Sequence, residues 1–175
     1  MAVEAVDIWL IVLRWIHFFA GITWIGLLYY FNFVQVPTFK ELDGPTKNIL
    51  IPRLVKRALL WFRFSATVTV AAGWVYFLTV WGKGSFYDVT SAWWSISILA
   101  GGLIGTFMLI NVWGVIWRYQ KQIIAATEAL AKGTAAPPDM PKWGKRALIA
   151  SRMNVALSLP LLFFMAAATH LPIVV

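Results

Sequence analysis

Four long stretches of the chain are almost wholly apolar, near residues 7–36, 58–81, 92–118 and 145–172, and shorter polar stretches separate them. Each is longer than the about 20 residues an α-helix needs to cross the hydrocarbon core of a bilayer. Glycine and proline mark the ends: Pro37 after the first stretch, Gly82 and Gly84 after the second, Gly133, Pro137 and Pro138 after the third, and Pro172 late in the fourth. The pattern predicts an all-α integral membrane protein, a four-transmembrane-helix antiparallel bundle forming a single membrane domain over residues 1–175. The third helix is expected to outrun the membrane. Ile123, Ile124, Thr127, Leu130 and Ala131 recur at helical spacing among Arg118, Gln120, Lys121 and Glu128, until Lys132-Gly133 stops the helix.

Composition agrees and narrows the class. The chain is 61% hydrophobic and 13% charged, with a mean hydropathy of +0.75, and a soluble domain would carry about twice that charge. The formal net charge of +8 does not point to nucleic acid, because the basic residues cluster beside apolar segments, where they set topology and meet anionic lipid. The absence of cysteine excludes disulfides, thiolate metal sites, iron-sulfur clusters and covalently attached c-type haem. Glu4 and Asp7 precede the first apolar run in place of a basic n-region, so that run is expected to be a retained span rather than a signal peptide.

The loops orient the bundle. Lys40, Lys47, Arg53, Lys56 and Arg57 fall between the first two spans, and Arg118, Lys121, Lys132, Lys142, Lys145 and Arg146 between the last two. The 82–91 loop has only Lys83. By the positive-inside rule the two basic connections are cytoplasmic, which makes the third-helix extension cytoplasmic and both termini periplasmic in a bacterial inner membrane.

Candidate chemistry is scarce. Both histidines lie in apolar runs, and an ionisable ring at membrane depth is a functional hypothesis by default. His17 sits about 10 residues, or roughly 15 Å, from the outer boundary and His170 about 5 Å from it, a difference of about two turns. Gly21 lies one turn inward from His17, and Ala166 and Ala167 one turn inward from His170, so small residues beside both rings leave room for a flat macrocycle. The expected cofactor is haem b, held by His17 and His170, with Met165 as an alternative axial ligand. Arg14, one turn outward from His17, either holds a haem propionate or snorkels to headgroups. Either histidine can instead simply hydrogen-bond a backbone carbonyl or lie at the interface.

The run Arg14-Trp15-Ile16-His17, followed by Ala20-Gly21-Ile22-Thr23-Trp24-Ile25-Gly26 and Tyr29-Tyr30-Phe31, resembles the opening helix of the membrane domain of the PuuD-type membrane-bound urate oxidases. The likeness fades beyond about residue 40 and then rests on composition. That family joins a longer membrane domain to a C-terminal cytochrome c domain, so the resemblance implies a half-length, haem-c-less relative, a component of a membrane oxidoreductase that does not oxidise urate alone. The chain is more loosely similar to four-span haem proteins of the HemJ type, but Asn32-Phe33-Val34-Gln35-Val36-Pro37 replaces the basic, histidine-bearing end of their first helix.

Among other polar residues within the spans, Asn111, Asn154, Arg63 and Arg152 are a candidate hydrogen-bonded cluster joining three helices. Gly101-Gly102-Leu103-Ile104-Gly105 permits close backbone approach, within the bundle or to another subunit. Trp24 and Trp74 are deep enough to line a cofactor pocket or pack the core. With no acid in any span, a hydrolytic triad and a paired-carboxylate relay are disfavoured. Two readings follow. One is a b-type haem protein for electron transfer with a partner membrane subunit or a cytochrome, surrounded by membrane lipid. The other is a non-catalytic accessory subunit, docked through the glycine face and the third-helix extension.

Overall fold

The computed structural model describes residues 5–82 and 92–170, and every described element is helical. In chain order these are α1 (Ala5–Tyr29), a π-helical turn (Tyr30–Gln35), α2 (Val36–Glu41), α3 (Gly44–Leu50), a second π turn (Ile51–Val55), α4 (Lys56–Gly82), α5 (Ala92–Asn111), a third π turn (Val112–Ile116), α6 (Trp117–Leu130) and α7 (Met140–His170). Through the π turns they join into four long helices, Asp7–Glu41, Gly44–Gly82, Trp93–Leu130 and Met140–Ala168, each long and apolar enough to cross a membrane. Large apolar side chains face outward along all of them, among them Ile22, Trp15, Ile110 and Leu159, each more than half exposed, as lipid-facing positions require. Most of the 82–91 loop and Pro172 lie outside the described residues.

The first two helices run past their expected bounds. Pro37 does not close the first helix, which continues to Glu41, and the second begins at Gly44 rather than near residue 58. The reason is local. Pro37 directly follows one π turn and Pro52 lies inside another, at the first positions of their segments, where a missing N–H removes no α-type bond that the wider turn needs. The break is confined to Leu42 and Asp43, which are extended, and the Asp43 carboxylate accepts from the Thr46 N–H at 2.7 Å as an N-cap. At the other connection the expected stop holds: Gly133 takes φ +86°, and its N–H and that of Thr134 close back on the carbonyls of Leu130 and Ala129.

The first helix packs along the second, and the third along the fourth. Arg14 meets Tyr76, His17 meets Gly73, and Phe31 meets Phe62, which sets the register of the first pair. The first and fourth helices meet at Tyr29, whose hydroxyl shares a 2.9 Å hydrogen bond with Ser158, and at Asn32, which donates to Ser151 Oγ at 2.8 Å. The core is centred on Trp24, Leu28, Phe62, Met108 and Val112. α6 lays Ile124, Ala126 and Thr127 inward, and Lys56 pairs with Glu128 at 2.9 Å, an exposed ion pair that adds little.

The polar cluster is smaller than the four residues suggested. Asn111 Nδ2 donates to Asn154 Oδ1 at 2.8 Å and to the Ala150 carbonyl at 2.9 Å, and Asn154 Nδ2 donates to the Met108 carbonyl at 3.2 Å, all buried. This pair pins α5 to α7. Arg63 does not join it: its guanidinium lies 3.6 Å from the Trp117 ring centroid and also covers Trp113 and Phe64, while Arg152 is exposed. Arg63 extends from α4 toward aromatic rings at the third π turn, so a face-by-face reading of one helix misses its partners.

Asn154→Ala removes one of the two acceptors of the Asn111 amide and is expected to cost about 1 kcal/mol, read as a lower midpoint in detergent unfolding. At Asp43, the Thr46 backbone N–H is the main cause holding the carboxyl below the usual aspartate range. The cap is therefore present above the ordinary aspartate pKa and lost as pH falls through the lowered one. Amide exchange over residues 44–50 should speed up in acid, and Asp43→Ala should speed it at neutral pH and remove the acid dependence.

Candidate functional site

The buried stripe of α1 runs through Leu13, Ala20, Trp24 and Leu28, and His17 and Gly21 fall beside it at helical spacing. This turns the imidazole of His17 against α4. Its Nδ1 lies 2.8 Å from the backbone carbonyl of Thr69. That oxygen can only accept, so in the neutral ring Nδ1 carries the proton and Nε2 keeps its lone pair. A mid-helix carbonyl already accepts from the amide four residues on, yet it has a second lone pair, and what exposes it here is Gly73. A Cβ at Gly73 would stand 3.0 Å from both His17 Cε1 and Nδ1.

The neighbouring residues continue the same seam. Arg14 donates to the Tyr76 hydroxyl, and its guanidinium lies 5.3 Å from the Tyr76 ring centroid. Gly21 faces the Thr69 side chain, whose methyl would lie 3.6 Å from a Cβ there, so the space beside Gly21 is where α4 approaches. Thr69 Oγ1 in turn donates to the Ser65 carbonyl at 2.7 Å. Arg14, His17 and Gly21 thus share one face of α1, and Thr69, Gly73 and Tyr76 answer them from one face of α4. The α4 trio was missed from sequence, although its spacing of four and three residues is a helical face that carries the glycine.

The fourth-helix candidates belong to another seam. Met165 packs on Gly101, where a Cβ would stand 2.5 Å from its Cε, and Leu161 packs on Gly105 at 3.1 Å. His170 Nδ1 donates to the Ala166 carbonyl of its own helix at 3.1 Å. Trp93 Nε1 reaches the Ala167 carbonyl at 3.3 Å. His17 is therefore held by the second helix, while Met165 is held by the third and His170 bonds within the fourth. The tryptophans differ in the same way: Trp74 Nε1 donates to Thr106 Oγ1 at 2.9 Å, whereas Trp24 is fully buried and its Nε1 has no partner among the described residues. No three His, Cys, Asp or Glu side chains gather as a metal-binding group among the described residues.

A model of the family described as the N-terminal part of urate oxidase matches residues 81–175. The chain belongs to this urate oxidase N-terminal family. No curated protein and no solved structure matches the chain. The family match covers the third and fourth long helices, with Gly101, Gly105, the Asn111–Asn154 pair, Met165 and His170 inside it. The residues of the first helix that carry the sequence resemblance lie outside it. In this urate oxidase N-terminal protein, the matched half is thus a helix pair closed by glycines and an asparagine pair, and His17 is added by the other half.

Gly73→Val puts two methyl groups where the His17 ring lies. The expected result is loss of the Thr69 bond, seen by nitrogen NMR of labelled histidine as a change from a single Nδ1–H tautomer to a mixture, with helix content unchanged.

Proposed function

We propose that the chain is a multi-pass subunit of a bacterial inner membrane that holds haem b on His17 and passes electrons to or from a partner membrane subunit or a cytochrome. In this reading the four helices are antiparallel, both termini are periplasmic, and α6 carries the third helix into the cytoplasm. The pairing of Arg14 with Tyr76, His17 with Gly73 and Phe31 with Phe62 supports the opposite running of the first two helices. The basic residues around the two connections support the orientation.

One observation carries the haem assignment: the clamp of His17 Nδ1 on the Thr69 carbonyl. Metal-ligating histidines bond their second ring nitrogen in this way, which fixes the tautomer and aims the free nitrogen. Nε2 has no hydrogen-bond partner among the described residues, so its lone pair would be available to bind the haem iron. His170 is the second ligand in this reading and Met165 its alternative. Arg14 has more N–H groups than its bond to Tyr76 uses and is placed to hold a propionate. When bound, haem supplies reversible one-electron transfer at its iron. The protein's share is to orient the imidazole, hold its proton on Nδ1 and keep the site within apolar surroundings.

The accessory-subunit reading loses its docking faces. Gly101 and Gly105 are filled by Met165 and Leu161 of the same chain, and the inner face of α6 is buried on the bundle.

Purified with ample haem during expression, the protein is expected to show a Soret band and reduced α and β bands with dithionite. His17→Ala should abolish them, His170→Ala should shift them or weaken haem retention, and Met165→Leu should leave them in place. A wild-type protein without a haem spectrum would sink the proposal.

A further inference from the structure

The end of the bundle remote from His17 holds a cavity of about 280 Å³, and all four long helices wall it. Each of the first three contributes its π turn: Phe31 and Gln35 from the first, Ile51 and Val55 from the second, Ile116 from the third. The fourth helix adds Gly144 and Ser151. Single π turns are rare and recur at functional sites, so three around one void mark it out from packing defects. Its size is near the lower end for small-molecule pockets, about 300 Å³, which suits one ring system.

The lining specifies the guest. It is apolar apart from Gln35, Gln120, Ser151 and, at an exposed position, Lys40, and it contains no carboxylate. Among the described residues the neutral three keep hydrogen-bonding capacity to spare. Gln35 Oε1 is buried without a partner, the Gln120 amide has none among the described residues, and Ser151 Oγ accepts from Asn32 but has no acceptor for its own proton. Gln120 is half-buried, whereas leaving the buried Gln35 amide oxygen unpaired costs stability, so its presence favours a ligand that pairs it. Amide N–H and serine O–H groups suit carbonyl oxygens, the free amide oxygen suits a hydroxyl, and Phe31, Phe39 and Phe62 offer ring faces. A charged or strongly polar solute would be desolvated against these walls without a counter-ion at depth.

We infer that this cavity binds the head ring of a lipid-soluble quinone or quinol, whose prenyl tail stays in the bilayer. The inference rests on the reading of the chain as a membrane redox subunit, to which it adds a lipid-borne electron carrier, but binding requires nothing of His17.

The full chain in nanodiscs is titrated with decylubiquinone by calorimetry, and a photoreactive azidoquinone maps the contact. Saturable binding with label on residues 31–39 or 144–151 is expected. Gly144→Phe is the blocking variant, because a Cβ there meets no atom within 4 Å and the ring can enter the cavity without moving the backbone. It should weaken binding about tenfold or more, and Gln35→Leu and Gln120→Leu about fivefold each. His17→Ala should bind quinone as the wild type does, so failure of the haem proposal and failure of this one are separable. Quinone uptake no greater than by empty nanodiscs, unchanged affinity in all three cavity variants, or a bound phospholipid that quinone does not displace would each overturn the inference.

Discussion

Lipid tails solvate leucine as well as another helix does, so a bundle of helices this apolar gains little from hiding hydrophobic surface between them. What holds it is close approach at small residues and a few buried hydrogen bonds. Both helix pairs are built this way. On the first seam Gly21 admits Thr69 and Gly73 admits the His17 ring; on the second, Gly101 admits Met165 and Gly105 admits Leu161. Gly102 under Trp74 ties the two seams together, and the Asn111–Asn154 pair locks the second. Knobs from one helix occupy absent side chains on the next, and the chemistry of the site depends on that.

His17 illustrates the dependence. A polar ring inside a membrane bundle is costly unless it is bonded, and a helix offers carbonyl oxygens only where no side chain screens them. The glycine that lets α1 approach α4 is also what opens the Thr69 carbonyl, so one missing side chain serves packing and proton placement together. The ordinary account of His17, a ring bonded to a neighbouring carbonyl, and its account as a ligand use different nitrogens of the same imidazole. They do not compete.

Features that depend on one helix at a time were legible in the sequence. The four apolar runs and the stop at Gly133 follow from hydropathy and from a glycine able to take positive φ. Features that depend on register between helices were not. Nothing in the first run shows that His17 will face residues 69–73, and the space beside Gly21 reads as open until Thr69 is placed there. Arg63 was grouped with the asparagines by depth, whereas its side chain reaches Trp117. Family likeness was legible at the opposite end of the chain from the family match, in the aromatic and glycine run of the first helix rather than in residues 81–175.

Proline misled for a physical reason that also separates the two ends of the bundle. Pro37 reads as a break under α-helical bookkeeping, but a π turn adds one residue and rotates everything beyond it by about 100°, which absorbs a missing donor and turns a new face inward. Where three helices make that change at one level, side chains that would have continued the packed seam are rotated off it, and a cavity opens between them. Near His17 the glycines bring backbones together, Gly73 against the imidazole and Gly21 against Thr69. At the connections the π turns set backbones apart and leave the buried Gln35 amide oxygen unpaired beside a void. Close packing and its controlled failure are therefore written into different residues, glycines for the one and π turns for the other, so the histidine end and the cavity end can be altered independently.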